Sequence, residues 1–239
     1  PGNPGAWKRH AVYHKKVKVQ QKQREDGGVC QQRQREIAEK IARCAAQSGD
    51  AYDELLAKGA RYHSKEDWRR AARTLREAIV LEPDTPVAYF NLAGSLANSA
   101  HFMEAAQRFL EARERYPVGS KSWAEATAAA FNMLTQDACA EVAKPEWWND
   151  EGLQVMSARV VRMAPDDGRA NQMRAEVLSG RCCAWEVVPR SAAELKEAAT
   201  HYDRAAALCP APATKAYLAD NAARCHRRAE AMPHVRCAV

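Results

Sequence analysis

Eight cysteines and seven histidines give this 239-residue chain its widest chemical repertoire, and their spacing restricts what they can do. Cys30, Cys44, Cys139, Cys182, Cys183, Cys209, Cys225 and Cys237 contain no C-x-x-C pair, so zinc-ribbon spacing is absent. Only Cys225 and His226 place two different ligand types side by side, and two ligands do not make a metal centre. There is no G-x-S-x-G, no H-E-x-x-H and no G-x-G-x-x-G. "GSKS" at 119–122 matches the end of a phosphate-binding loop but lacks the upstream glycine and a preceding strand. It reads as the start of a helix. The expectation is a protein without catalytic residues, metal or cofactor, and not an enzyme.

Two other groups of residues can do binding chemistry. Lys8, Arg9, Lys15, Lys16, Lys18, Lys22 and Arg24 lie in the first 24 residues with no acid among them. The whole chain carries +6, so the charge belongs to this arm and the rest is close to neutral. Such an arm suits phosphate backbones or acidic surfaces, through weak contact without sequence preference. The plainer reading is a solvated leader, disordered alone for want of apolar residues. The second group is aromatic. Trp147 and Trp148 fall in "AKPEWWNDE" (143–151) and Trp185 in "GRCCAWEVVPR" (180–190).

The elements that position these residues are helical. Apolar residues make up 46% of the chain and alanine is abundant, while runs of alternating Val, Ile and Thr are few, so strands are disfavoured. No stretch reaches the roughly 18 to 20 apolar residues needed to cross a bilayer, and no membrane contact is expected. Most cysteines sit in helical patterns, where they act as small hydrophobes. An intracellular, reducing compartment fits that usage, the cytoplasm first. The chain begins with Pro1 and shows no signal-peptide core; it reads as a fragment or a processed product.

The helices repeat. Pro83 in "EAIVLEPDTP" and Pro117 in "EARERYPVGS" are 34 residues apart. At equal distances before each stand Ala78 and Ala112, Leu75 and Phe109, Ala71 and Ala105, and Tyr62 and Leu96. This pattern resembles the tetratricopeptide repeat (TPR), a helix-turn-helix unit of that length, and the body is similar to TPR-containing proteins of algae and protists. The resemblance implies an all-α solenoid. Its small alanines let helix B approach its neighbours, and Pro83 and Pro117 stop helix B. Gly59 and Tyr62 match the family's helix-A glycine and aromatic; Ala93 stands where the second unit would have the glycine, and Lys58 where the family prefers leucine.

The expected organisation is a basic tail (1–28), an N-terminal helix (29–51), units at 52–85 and 86–119, irregular units at 120–167 and 168–212, a capping helix at 213–231 and a tail at 232–239. Pro165 and Pro210 would end helix B of the irregular units. Their extra residues fall in the turn between helices A and B, at the two tryptophan-bearing stretches. If all such turns share one edge, Trp147, Trp148 and Trp185 form a joint patch. It would be a partner site or a lock between repeats three and four, the alternative being ordinary packing.

The resemblance also implies a concave groove lined by helix A, here by Asp53, Leu56, Ala60, Val87, Phe90, Asn91, Gly94, Asn98 and Lys121. Members that grip acidic chaperone tails use a five-residue clamp falling on Leu56, Ala60, Asn91, Lys121 and Glu125. Only Asn91 and Lys121 match that pattern, and Glu125 would repel a carboxylate. The expected function is therefore a non-enzymatic scaffold or adaptor that takes a peptide or helix of another protein in the groove. The chain's own N-terminal helix is the competing occupant. An RNA- or ribonucleoprotein-associated subunit held by the basic tail is the alternative function.

Overall fold

The computed structural model describes residues 50–180 and 185–232, with Arg35, Glu36 and Glu39. The basic arm from Lys8 to Arg24, the Cys182-Cys183 pair, most of the expected N-terminal helix and the C-terminal tail lie outside the described residues. Nine α-helices run from residue 51 to residue 230, and the described residues contain no strand. They are α1 (Ala51–Ser64), α2 (Trp68–Leu81), α3 (Pro86–Asn98), α4 (Phe102–Arg115), α5 (Lys121–Leu134), α6 (Asp150–Met163), α7 (Gly168–Ser179), α8 (Ala192–Leu208) and α9 (Pro212–Glu230). Each packs on the next in the chain, and α1 also meets α3 and α5 meets α7. No helix among the described residues is long and apolar enough to cross a membrane.

The helix ends follow from local chemistry. Asp50, Asp67, Ser120, Asn149 and Asp167 each accept a hydrogen bond from a first-turn amide, which satisfies a donor the helix itself leaves open. Ser191 and Glu194 form a capping box on α8. Pro83, Pro117, Pro165 and Pro210 each follow the last residue of α2, α4, α6 and α8 by two positions, where the missing N–H costs nothing. In "LEPDTP", Leu81 closes α2, Thr85 bonds Glu82 at 2.7 Å and Pro86 opens α3. The carbonyl of Pro83 accepts from the Tyr89 hydroxyl at 2.9 Å, and that of Pro165 from Asn171 Nδ2 at 2.7 Å. Both donors stand six residues on, in the following helix.

Three apolar clusters account for most of the core. Tyr52, Leu56, Leu75, Leu92 and Leu96 pack the first helices around Ala78 and Ala105, which are fully buried. Trp123, Phe131, Leu153 and Met173 fill the space between α5, α6 and α7. Tyr202, Leu218 and Cys225 close the far end, where α9 lies on α8. Fully buried alanines mark the helix crossings at Ala71, Ala106 and Ala112; only a side chain that small lets two backbones approach so closely.

Candidate functional site

A groove of about 470 Å³ opens along the helices that begin each pair. Gly59, Ala60 and His63 of α1, Phe90, Asn91, Gly94 and Asn98 of α3, Asn132 and Met133 of α5 and Arg169 of α7 line it. Of the residues expected on this face, Ala60, Phe90, Asn91, Gly94 and Asn98 reach it. Leu56 is buried in the core beside Tyr52 and Leu75. Asp53 and Val87 stand outside the groove lining, and exposed Lys121 lies 3.8 Å from Glu125. His63, Asn132, Met133 and Arg169 went unnoticed in the sequence. One signal was available: Asn132 lies one 34-residue period after Asn98.

The groove is largely apolar with a few aimed amides. The carboxamides of Asn91 and Asn132 make no side-chain hydrogen bond with any described residue, whereas Asn98 approaches His63 Nε2 at 3.4 Å. Ser95 donates its hydroxyl to the Asn91 carbonyl. It therefore accepts from His63 Nδ1 at 3.0 Å, which leaves Nε2 as the acceptor for Asn98. Phe90 meets Phe109 edge-to-face at 5.3 Å, and the Arg169 guanidinium stands 5.7 Å from the Phe90 ring.

Two helical glycines here differ in purpose. A Cβ on Gly59 would come within 2.8 Å of Leu75, so that glycine serves packing. A Cβ on Gly94 would meet nothing nearer than His63 at 3.8 Å. Gly94 sits in the middle of α3 at a cost of about 1 kcal/mol in helix propensity, and what its missing side chain leaves is groove depth.

Burial pushes the His63 imidazole below its ordinary value of 6.5. His201, which bonds Asn171 at 3.0 Å, is lowered too, by burial first and against the pull of Glu197. A histidine whose folded value is depressed leaves the unfolded chain as the better proton acceptor. Its stabilisation is complete above pH 6.5 and declines as the pH falls below it. Urea midpoints are expected to fall between pH 7.5 and pH 5.5. His63→Gln should shallow that slope; an unchanged slope in both His63→Gln and His201→Gln removes the histidines as its source.

The two long turns meet. Trp148 and Trp185 are buried with centroids 6.0 Å apart, and Phe131 of α5 contacts both, at 5.5 and 5.9 Å. Trp147, half-buried, lies 5.7 Å from Trp148. Lys144 points its ammonium at the carbonyls of Leu134 (3.0 Å) and Cys139 (2.7 Å). These are the C-terminal ends of α5 and of the short 3₁₀ turn Asp137–Cys139, where a cation is favoured. The same ammonium faces the Trp148 ring at 5.3 Å.

Beneath the aromatics, Arg190 forks onto Asp150, the first residue of α6. Arg190 Nη2 also donates to the Val177 carbonyl at 2.9 Å, and Trp185 Nε1 donates to Asp150 at 3.1 Å. Burial alone would raise the Asp150 carboxyl; bonds from Arg190 and Trp185 outweigh it and hold the group below the ordinary range. Gly180 ends α7 with φ of +60°, a left-handed conformation that suits glycine, and a Cβ there would strike Val187 at 2.7 Å.

Among the described residues, no group of three His, Cys, Asp or Glu is placed to hold a metal ion. Cys139 and Cys209 are free thiols, and burial pushes that of Cys139 up, away from nucleophilic use. No protein-family model matches the chain, and no curated protein matches it.

Proposed function

We propose that the chain is a TPR-type solenoid and a non-enzymatic scaffold that takes an apolar segment of another protein in the α1–α3–α5–α7 groove. The observation that carries this reading is the groove's lining: an apolar floor opened by Gly94, rimmed by the unengaged carboxamides of Asn91 and Asn132. Carboxamides both donate and accept, so they suit a peptide main chain rather than a charged ligand. The 34-residue interval between Pro83 and Pro117, and the pairing of helices of 13 or 14 residues on either side of Pro83, support the repeat reading. The free thiols suit a reducing intracellular compartment, the cytoplasm first.

The test fills the groove. Gly94→Ala should stabilise the fold by about 0.5–1 kcal/mol. Gly94→Phe should leave helicity unchanged by circular dichroism and reduce capture of partner proteins at least tenfold. Equal capture by wild type and Gly94→Phe removes the groove from the function.

A second reading rests on the seven cations between Lys8 and Arg24: an RNA- or ribonucleoprotein-associated subunit whose basic arm holds phosphate. It requires nucleic-acid affinity that falls steeply with salt and is lost with residues 1–28.

A further inference from the structure

Arg113 of α4 and Arg159 of α6 stand on the same indole. The Arg113 guanidinium carbon is 5.3 Å from the Trp123 ring centroid and 5.4 Å from that of Trp147; that of Arg159 is 4.9 Å from Trp123. Neither side chain forms an ion pair or hydrogen bond with any described residue, and Arg113 Nε is buried without a partner. Elsewhere in the body most arginines facing other helices have an anion or carbonyl: Arg76 has Glu104, Arg174 has Glu197, Arg190 has Asp150 and Arg228 has the Ser179 carbonyl. Burial lowers the proton affinity of Arg113; Glu114 opposes this and the positive charge of Arg159 adds to it. Arginine nonetheless stays charged. Two like charges thus share one indole, partly out of water, with neither of them ion-paired to a described residue.

We propose that Arg113 and Arg159 form a binding site for a phosphate monoester dianion. The N–H groups of both guanidiniums meet no acceptor among the described residues, and guanidinium N–H edges match phosphate oxygens in pairs. Two cations balance the charge of about −1.5 to −2 on a phosphate monoester at neutral pH. A carboxylate or a phosphodiester, each with one charge, leaves one arginine uncompensated. Arg159 Nη2 also lies 3.5 Å from the position a Cβ would take on Gly119. That places the site beside the turn preceding α5, whose N-terminal end favours anions. The site is separate from the groove. The dianion can arrive on a phosphorylated side chain or on a small phosphorylated molecule.

Tryptophan fluorescence of the full chain, titrated at constant ionic strength, tests this, because Trp123 and Trp147 flank the site. Inorganic phosphate and free O-phosphoserine should give saturable changes, and dimethyl phosphate should bind at least tenfold more weakly. Arg159→Gln should weaken O-phosphoserine at least tenfold with circular dichroism unchanged. Arg159→Lys, which keeps charge and stem but loses the fork, should weaken it about threefold or more. A capped pentapeptide with phosphoserine between alanines separates the sources. Binding tighter than free O-phosphoserine assigns the dianion to a polypeptide, and binding no tighter assigns it to a small molecule. No saturable response to phosphate, equal binding of dimethyl phosphate, or undiminished binding by both Arg159 variants overturns the proposal.

Discussion

Arg190→Ala is expected to destabilise the protein by about 3–5 kcal/mol, measured by urea unfolding at pH 7. The Arg190 side chain is 2% exposed and that of Asp150 is 10% exposed. Removing the arginine leaves a buried carboxylate with only Trp185 and Gln154 to solvate it, and it strips the Val177 carbonyl at the end of α7 of a donor. Arg190→Lys should recover little, since an ammonium cannot serve both Asp150 oxygens and the Val177 carbonyl from one fork. The pH dependence has a definite sign. The Asp150 carboxyl is held below its ordinary 3.8, so the pair's stabilisation is complete above that value and is lost as the pH falls toward the depressed one. The gap between wild type and Arg190→Ala should therefore narrow in acid. A loss under about 1 kcal/mol at pH 7 would mean that water reaches the pair and screens it.

Asp150 and Arg190 show where the sequence stopped being legible. The all-helical fold could be read because its determinants are local: alanine-rich amphipathic runs, capping side chains at Asp50, Asp67 and Ser120, and prolines two residues past α2, α4, α6 and α8. Ala78, Ala105 and Ala112 could be picked out because the spacing repeats, and all three are fully buried. The groove was legible only in part. Leu56 and Phe90 lie one 34-residue period apart, yet Leu56 is buried with Tyr52 and Leu75 while Phe90 lines the groove, so the spacing alone does not fix which face a residue takes. Arg169 was hidden for another reason: it comes from α7, past the long α5–α6 turn, where the 34-residue spacing no longer places residues. Pairings such as Asp150 with Arg190 or Arg113 with Trp147 join turns and helices of unequal length. No periodicity encodes them.

Trp148→Ala and Trp185→Ala are each expected to cost about 3–5 kcal/mol. In a chain of this size that lowers the melting temperature by roughly 6–20 °C. Both rings are 9% exposed, and each packs against Phe131 and the other. Deleting either one leaves a cavity that rigid helices on three sides cannot collapse into. Trp185 carries a further penalty, because its indole N–H is one of the donors to Asp150. Trp185→Phe separates the two contributions: it keeps most of the ring volume and loses the hydrogen bond, so its cost should be about 1–2 kcal/mol. Trp147 is half-buried and touches Trp148 and Arg113, and Trp147→Ala should cost less than either. This ordering, Trp148 and Trp185 well above Trp147, is what a lock between the α5–α6 and α7–α8 turns requires. A surface patch devoted to a partner would give the opposite result: melts close to wild type for all three variants and weakened capture of a bound protein. Near-wild-type melts for Trp148→Ala and Trp185→Ala would therefore overturn the lock and leave the three rings as a docking surface.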